Sequence, residues 1–349
     1  MENKVLTVVI PTYNMERLLD KCLTSLVVVS PLSSPENTDL MEQLEVLVVI
    51  DGATDRSSEI AHRYQDKYPQ TFRVIDKENG NYGSCINRGL AEARGKYIKV
   101  LDADDYFDTS AFAHIISLLS QTDVDLVITN YKTVCDNGED SKLMRFDLPA
   151  NQILPTAALG RQGRKMAMHA VTYKTKNLRD IKYKQTEHIS YTDQEWIFEP
   201  MTTVKTFTYF DICLYNYLIG RSGQTMDIRC LAKNIIHNLI VLENNIKVLD
   251  KQKASDEIFE YLWERLSGFA EYIYSLFLYN MNTIDISPLI VFDKKLAAES
   301  PILFRYLSTI KAGRFPLVRL WRVFYYKNDY GFHDFFRKRK YRLFIKDKA

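Results

Sequence analysis

Three aspartates crowd into the stretch KYIKVLDADDYF, where an apolar run delivers Asp102, Asp104 and Asp105 into one short turn. Carboxylates this close repel one another by roughly 1 kcal/mol or more per pair near a surface, so the turn calls for a cation. Oxygen ligands suit Mg2+ or Mn2+, ions that proteins hold through one or two carboxylates and complete with the phosphates of a substrate. The plainer account is a solvated acidic turn that caps the helix following Phe107.

Four further segments carry residues of the right type. VVIPTYN sets Pro11, Thr12, Tyr13 and Asn14 at the carboxyl end of a strand, where open α/β sheets bind ligands. An aromatic ring there can stack on a nucleobase, although an ordinary strand-to-helix turn has the same composition. VVIDGATD puts Asp51 in a glycine-containing turn, as an acceptor for a base or ribose or as a local cap. HISYTDQEWIFEP starts a helix at Asp193, a position the helix dipole also favours for a carboxylate. YLIGRSGQT is a polar loop whose Arg221 and Gln224 can close over a diphosphate, since Arg offers a charged bidentate fork, can position a second substrate, or can form a surface turn. Met168, His169 and His188 stand near these segments, and His169 is the one assigned to the acceptor side.

The elements that must position these residues follow from periodicity. Val5 to Ile10, Glu45 to Ile50, Phe72 to Ile75, Tyr97 to Leu101 and Leu126 to Thr129 read as strands. Glu16 to Val29, Ser57 to Lys67, Ser84 to Ala93 and Ser110 to Ser120 read as the helices between them. The alternation predicts βαβ units on a mostly parallel sheet, with PLSSPENTD as a loop before the second strand. Between Tyr131 and Tyr217 the pattern is mixed, with strand-like Lys205 to Phe210 and Cys213 to Tyr217 around a helical Asp193 to Thr203. After Cys230 it turns helical, with Ile235, Ile236, Leu239, Ile240 and Leu242 on one face.

Taken together, PTYN, DGATD and NGNYGSCINRGLAEARGKYIKVLDADD resemble, in order and spacing, the motifs of the family 2 glycosyltransferases of the GT-A fold. The resemblance is dense over residues 5–107 and thinner to about 225; Ile50 stands where the family often has an acid. It implies an α/β GT-A fold, Rossmann-like with a mostly parallel sheet flanked by helices, followed by a C-terminal helical appendage. Residues 1–229 would form the catalytic domain, with 1–107 for the nucleotide sugar and 108–229 for the acceptor, and 230–349 the helical region. It also implies a nucleotide pocket from Pro11, Thr12, Tyr13 and Asp51, with Asn81, Gly83 and Arg88 near ribose or phosphates and Arg221 on the donor. Asp102 would face the ribose and Asp104 hold Mn2+ or Mg2+. Asp193 matches the catalytic base of the ED-x-x-aromatic motif, with Thr192 replacing the usual Glu, Trp196 as the aromatic on the acceptor side and Glu195 the fallback base. One base and one metal imply direct, inverting displacement on a nucleotide-sugar donor, UDP-sugars first, by a saccharide or lipid-linked saccharide acceptor.

The bulk numbers set bounds. A chain of 349 residues with 46% hydrophobic content can bury a large core. Five cysteines, scattered and never in a CxxC pair, argue against a disulfide framework or a zinc site and fit a reducing, cytoplasmic compartment. The net charge of +2 is uneven: residues 311–349 hold 12 Lys or Arg against 3 Asp. There the cations interleave with Phe315, Trp321, Phe324, Tyr325, Tyr326, Phe332, Phe335, Phe336 and Tyr341, a composition that suits an anionic membrane surface on the inner face of the plasma membrane. The rival account packs those rings onto the helical region and leaves Arg337 to Lys340 solvated. No nucleic-acid module accompanies the charge. Two other functions compete: a phosphatase-like enzyme, which would carry its nucleophilic Asp after the first strand, and a non-catalytic scaffold of GT-A fold in a polysaccharide synthesis complex.

Overall fold

The computed structural model describes residues 4–28, 40–135, 142–220, 228–253, 256–281, 284–312 and 315–325. The elements run β1 (Leu6–Thr12), α1 (Leu19–Thr24), α2 (Leu40–Gln43), β2 (Leu44–Asp51), α3 (Ser57–Lys67), β3 (Phe72–Lys77), α4 (Asn81–Glu92), β4 (Tyr97–Val100), β5 (Tyr106–Phe107), α5 (Thr109–Ser120) and β6 (Leu126–Cys135). Next come β7 (Lys142–Met144), β8 (Ile153–Pro155), 3-10 turns at Thr156–Arg164 and Met168–Ala170, β9 (Val171–Lys174), α6 (Thr175–Asp180), α7 (Asp193–Trp196), a 3-10 turn at Glu199–Thr203 and β10 (Thr206–Ile219). The chain continues through α8 (Ile228–Leu249), α9 (Phe259–Tyr279), α10 (Ser287–Glu299), α11 (Pro301–Leu307), β11 (Lys311–Ala312), β12 (Phe315–Pro316) and α12 (Leu317–Tyr325).

The run LEVLVVID is buried along its whole length, as a strand covered by helices on both faces must be. Among the described residues the large sheet has the order β3-β2-β1-β4-β9-β6-β10-β5, with β7 on β6 and β8 on β10. β1 runs parallel to β2 and β4, β2 to β3, and β6 to β10, so the longest ladders are parallel. β9 is antiparallel to both β4 and β6 and splices the two parallel parts together. The order reverses at β1, which has β2 on one side and β4 on the other. Their carboxyl ends open a crevice of the kind that binds ligands in α/β sheets.

Some boundaries depart from periodicity for local reasons. The first helix is confined to Leu19–Thr24, because the following Val27 and Val28 are β-branched and crowd a helical turn. The helical stretch expected from Asp193 to Thr203 divides into α7 and a 3-10 turn that contains Pro200, which supplies no N–H to a continuing helix. The two short strands expected near 205–217 are one strand, β10, whose register against β6 shifts between Phe210 and Cys213 and again before Tyr215. The loop PLSSPENTD lies outside the described residues from Pro31 to Asp39.

In the helical region α9 buries Tyr261, Leu262, Leu266, Phe269, Ala270, Ile273, Tyr274 and Phe277, the three-and-four spacing of one apolar face. α12 adds Leu317, Val318 and Trp321 to this core. Its Arg322 donates to the fully buried Asp293 through Nη2 at 2.6 Å and Nε at 2.9 Å, and Tyr274 Oη donates to the same carboxylate at 2.6 Å. Trp321 and Arg322 of the basic, aromatic tail are therefore interior packing, whereas Lys311 and Arg319 are exposed. Tyr326, Phe332, Phe335, Phe336, Tyr341 and the basic run 337–340 lie outside the described residues. No helix of the described residues is long and apolar enough to cross a membrane. Replacing Asp293 by Ala strands a buried guanidinium, so equilibrium urea unfolding should read a loss of about 3–5 kcal/mol.

Candidate active site

At the carboxyl end of β1 lies a cleft of about 910 Å³, walled by segments far apart in sequence. Pro11, Thr12 and Tyr13 come from β1 and its turn, Asp51 from β2, Asn79, Asn81 and Tyr82 from the start of α4, and Asp102 from the end of β4. Met168 and His169 enter from the 3-10 turn before β9, and Ile189 to Gln194 from the segment that opens α7. Asn238 on α8 and Arg265, Phe269 and Tyr272 on α9 complete the wall. The helical region is thus part of the cleft.

The first two loops are tied to each other. Asn14, held at φ 52°, accepts from the Thr54 N–H at 2.8 Å, and Asp55 accepts from the Glu16 N–H at 3.0 Å. Asn14 therefore shapes the loop that presents Tyr13, which stays half exposed. Asp51 is 3% exposed as a residue, and its Oδ1 accepts from Lys77 Nζ at 2.5 Å and the Gly80 N–H at 2.9 Å. A fixed carboxylate beside an aromatic suits recognition of a base or ribose.

The acidic turn divides its three carboxylates. Asp105 is buried, and its two oxygens accept from Tyr215 Oη at 2.6 Å and the Leu218 N–H at 2.7 Å, which pins the turn to β10. Asp102 lines the cleft and accepts from Tyr82 Oη at 2.9 Å. Burial first, and then the charge of Asp104, push the Asp102 carboxyl up to about 7, against the pull of the Tyr82 hydrogen bond. Burial, followed by Asp104 and Asp102, raises Asp105 well above the usual carboxylate range. A single cation would relieve this concentration of negative charge.

His169 lies beside the turn. Ligand atoms of Asp102, Asp105 and His169 all fall within 4.8 Å of one another. The His169 ring packs at a tilt against Tyr215 and Tyr217, with centroids at 4.5 and 4.4 Å, and its Nδ1 is buried without a hydrogen-bond partner. Burial, and secondarily Lys99, drop its pKa to about 3, so the imidazole is neutral and able to ligate. Lys99 Nζ donates to the backbone carbonyls of His169 and Val171 at 2.8 and 3.1 Å and so fixes this turn beneath the acidic one. An unpartnered imidazole nitrogen beside carboxylates fits a divalent ion, and the nitrogen suits Mn2+ better than Mg2+. Asp104 is half-buried and outside that group of ligand atoms.

Asp193 lines the cleft, and burial raises its carboxyl above the usual value, opposed by hydrogen bonding from Gln194 and the charge of Arg265. The neighbouring Glu195 points elsewhere: it is 5% exposed and accepts from the Thr186 N–H at 2.8 Å, Thr186 Oγ1 at 2.7 Å and Asn244 Nδ2 at 3.0 Å. Glu195 anchors the segment that carries Asp193. Tyr191, two residues before Asp193, is held at φ 67°, an unfavourable backbone for an aromatic residue that marks a locally constrained site.

Several sequence-predicted residues stand off the cleft. Arg88 pairs with Glu92 at 3.0 Å along the exposed side of α4. Trp196 is 1% exposed and packs edge-on against Tyr173 and Tyr183. Gly83 is a packing position, because a Cβ there would lie 2.1 Å from the Thr186 carbonyl oxygen. Four residues on from it, Asn87 Nδ2 donates to the Gln185 carbonyl at 2.9 Å and to Glu187 at 2.8 Å. The glycine and asparagine of the α4 motif therefore dock the segment that leads into α7. Arg221 and Gln224 lie outside the described residues. Tyr82, Lys77, Gln194 and Arg265 were not singled out from sequence, although Tyr82 sits inside the NGNYG motif and Gln194 directly after Asp193 in HISYTDQEWIFEP.

The family model for glycosyl transferase family 2 matches residues 7–181. A glycosyltransferase of Mycoplasma pneumoniae is 29% identical over 245 residues, which cover 70% of this chain and 78% of that protein. Other curated relatives are matched over only about a third of their length. Among solved structures, residues 1–349 of TarS from S. aureus superpose with a TM-score of 0.69 at 18% identity, covering 98% of this chain and 94% of that one. TarS has also been solved with UDP-GlcNAc, where the TM-score is 0.54. A mannosyltransferase of Pyrobaculum calidifontis in complex with GDP-Man and Mn2+ superposes at 0.51 with 15% identity, covering 95% of this chain and 83% of that one. At these identities the likeness establishes the GT-A-type fold. The packing role of Gly83 is checked by Gly83→Ala, which should lower stability by about 1–3 kcal/mol through overpacking, read as a fall in the denaturation midpoint.

Proposed function

This chain belongs to glycosyl transferase family 2, and on that premise we propose that it moves a sugar from a nucleoside-diphosphate sugar to a hydroxyl of a saccharide or lipid-linked saccharide acceptor, with inversion. One observation carries the reading: Asp51, Asp102, His169 and Asp193 line a single cleft at the carboxyl end of β1. Tyr13 and Asp51 would take the base and ribose, UDP first, with Pro11, Thr12 and Asn81 around them. The donors bound to TarS and to the Pyrobaculum enzyme support a nucleotide-sugar ligand.

Asp102 and His169 would hold a divalent ion, Mn2+ or Mg2+, with the charge of Asp104 beside them. When bound, such an ion stabilises the negative charge on the departing diphosphate as a Lewis acid. Asp193 accepts the proton of the acceptor hydroxyl as that oxygen bonds to the anomeric carbon. The bond from that carbon to the diphosphate oxygen breaks, and the nucleoside diphosphate leaves with the electron pair. Burial raises the Asp193 carboxyl and so makes it a stronger base than an exposed aspartate. No covalent nucleophile is needed.

The chain divides into a catalytic domain, residues 1–229, and a helical region, 230–349, whose α8 and α9 help to wall the cleft. We place the protein in the cytoplasm, on the inner face of the plasma membrane, through the tail beyond α12. Sedimentation with anionic liposomes should retain the full chain and release one lacking residues 327–349; equal partitioning of the two removes the membrane assignment.

Calorimetry with UDP and Mn2+ separates the roles at the site. His169→Ala and Asp102→Asn should lose metal-dependent nucleotide binding, whereas Asp193→Asn should bind normally and lose transfer by about 10² to 10⁴-fold. Undiminished Mn2+-dependent binding in His169→Ala, with loss in Asp104→Asn, would move the ion to Asp104.

A further inference from the structure

Three side chains form a chain of hydrogen bonds from the helical region into the cleft. Arg265, on α9, donates through Nη2 to Gln194 Oε1 at 2.5 Å, and Gln194 Nε2 donates in turn to Asp193 Oδ2 at 2.9 Å. The other guanidinium nitrogen, Nη1, donates to the Met166 carbonyl at 2.8 Å and lies 3.4 Å from that of Gly163. All three residues line the cleft.

The order of atoms in this chain is physically forced. A guanidinium has donors and no acceptor, so it can face only the oxygen end of the Gln194 amide. That leaves the amide NH2 to face Asp193, and a carboxylate accepts it. Arg265 is itself clamped to backbone of the 3-10 turn at Thr156–Arg164 and the residues after it, and its helix approaches so closely that a Cβ on Gly163 would lie 2.5 Å from the Tyr261 carbonyl oxygen. The anchor is therefore a rigid helix, and the amide transmits its position to a carboxylate carried on a four-residue helix, α7.

We propose that Arg265, acting through Gln194, is the positioning residue that orients the Asp193 carboxylate toward the acceptor hydroxyl. The inference rests on the reading of Asp193 as the base. It extends the working site into the helical region, so the helices do more than enclose the cleft. The arrangement also holds Asp193 in its working charge state. Around it lie Asp102, Tyr82, Tyr217 and Tyr272, the first of which repels the ionised form while the tyrosines are neutral. Among these groups Arg265 is the cation, and it opposes the effect of burial on Asp193.

The test compares Arg265→Met, Gln194→Leu and Arg265→Lys with the unaltered chain, reading kcat, donor and acceptor KM, the pH profile of kcat and calorimetric binding of UDP with Mn2+. Arg265→Met and Gln194→Leu should each lower kcat by up to about 100-fold, the scale of a misplaced catalytic group, with UDP binding unchanged. In Arg265→Met the acid limb of the kcat profile should move to higher pH, because loss of the cation raises the Asp193 carboxyl and the base must be ionised to act. Arg265→Lys, which keeps the charge and one donor to Gln194, should recover part of the loss and restore the acid limb. Should Arg265→Met fail to fold, Gln194→Leu carries the same comparison, since it cuts the link and leaves the helix anchor intact. Unchanged kcat and acid limb in both variants overturn the proposal. A loss shared equally by kcat and UDP binding assigns Arg265 to packing and overturns it as well. Asp193→Asn separates this from a failure of the base assignment: if that variant keeps transfer, Asp193 is not the base, whereas an inactive Asp193→Asn beside normal Arg265 and Gln194 variants leaves the base and removes the relay.

Discussion

The structure turns on confining negative charge at the end of β4. Asp102 and Asp105 are drawn into one turn with Asp104 alongside, and burial forces both of the first two toward higher pKa. Such a turn is tenable only if every carboxylate has donors or a cation nearby. Asp105 is satisfied by Tyr215 and the Leu218 N–H, so it becomes a structural tie to β10. Asp102 is left at the cleft with one tyrosine donor and a neutral imidazole for company. The chemistry proposed for the cleft depends on that asymmetry.

Much of the remaining architecture keeps this turn and its surroundings in place. Lys99, three residues before Asp102, is itself buried and driven down to about 7 by desolvation. It spends its donors on the carbonyls of His169 and Val171, which brings the histidine to the aspartates. On the opposite wall, the segment that carries Asp193 is gripped from three sides. Gly83 and Asn87 hold it from α4, Asn244 and Glu195 tie it to α8, and Arg265 reaches it from α9. A short helix that could not hold its own geometry is thereby made rigid by longer ones.

This arrangement gives the helices of the second half a more direct part than their position after β10 suggests. Their apolar faces form an ordinary core around Tyr274, Trp321 and the Arg322–Asp293 pair. Their polar residues do not spread over the outer surface alone, since Asn238, Arg265 and Tyr272 reach the cleft. Family membership over residues 7–181 says nothing of these residues, because they lie beyond the matched segment.

From the sequence by itself came the βαβ alternation, most strand positions, the switch-point motifs and the acidic turn, because short-range periodicity and turn composition are local properties of the chain. Asp51 and Asp102 were legible as cleft candidates for the same reason, each following an apolar strand, whereas Asp193 was picked out as a helix start and by its resemblance to a family motif. That Asp105 is tied to β10 while Asp102 lines the cleft, that His169 lies against the acidic turn, that Glu195 and Gly83 pack on Thr186, and that Arg265 reaches Asp193 through Gln194 were decided by tertiary structure alone. Those facts depend on pairings of residues more than a hundred positions apart, such as Asp105 with Tyr215 at 110 and with Leu218 at 113. A side chain's role there is set by the donors that packing brings to it, and no spacing along the chain records them.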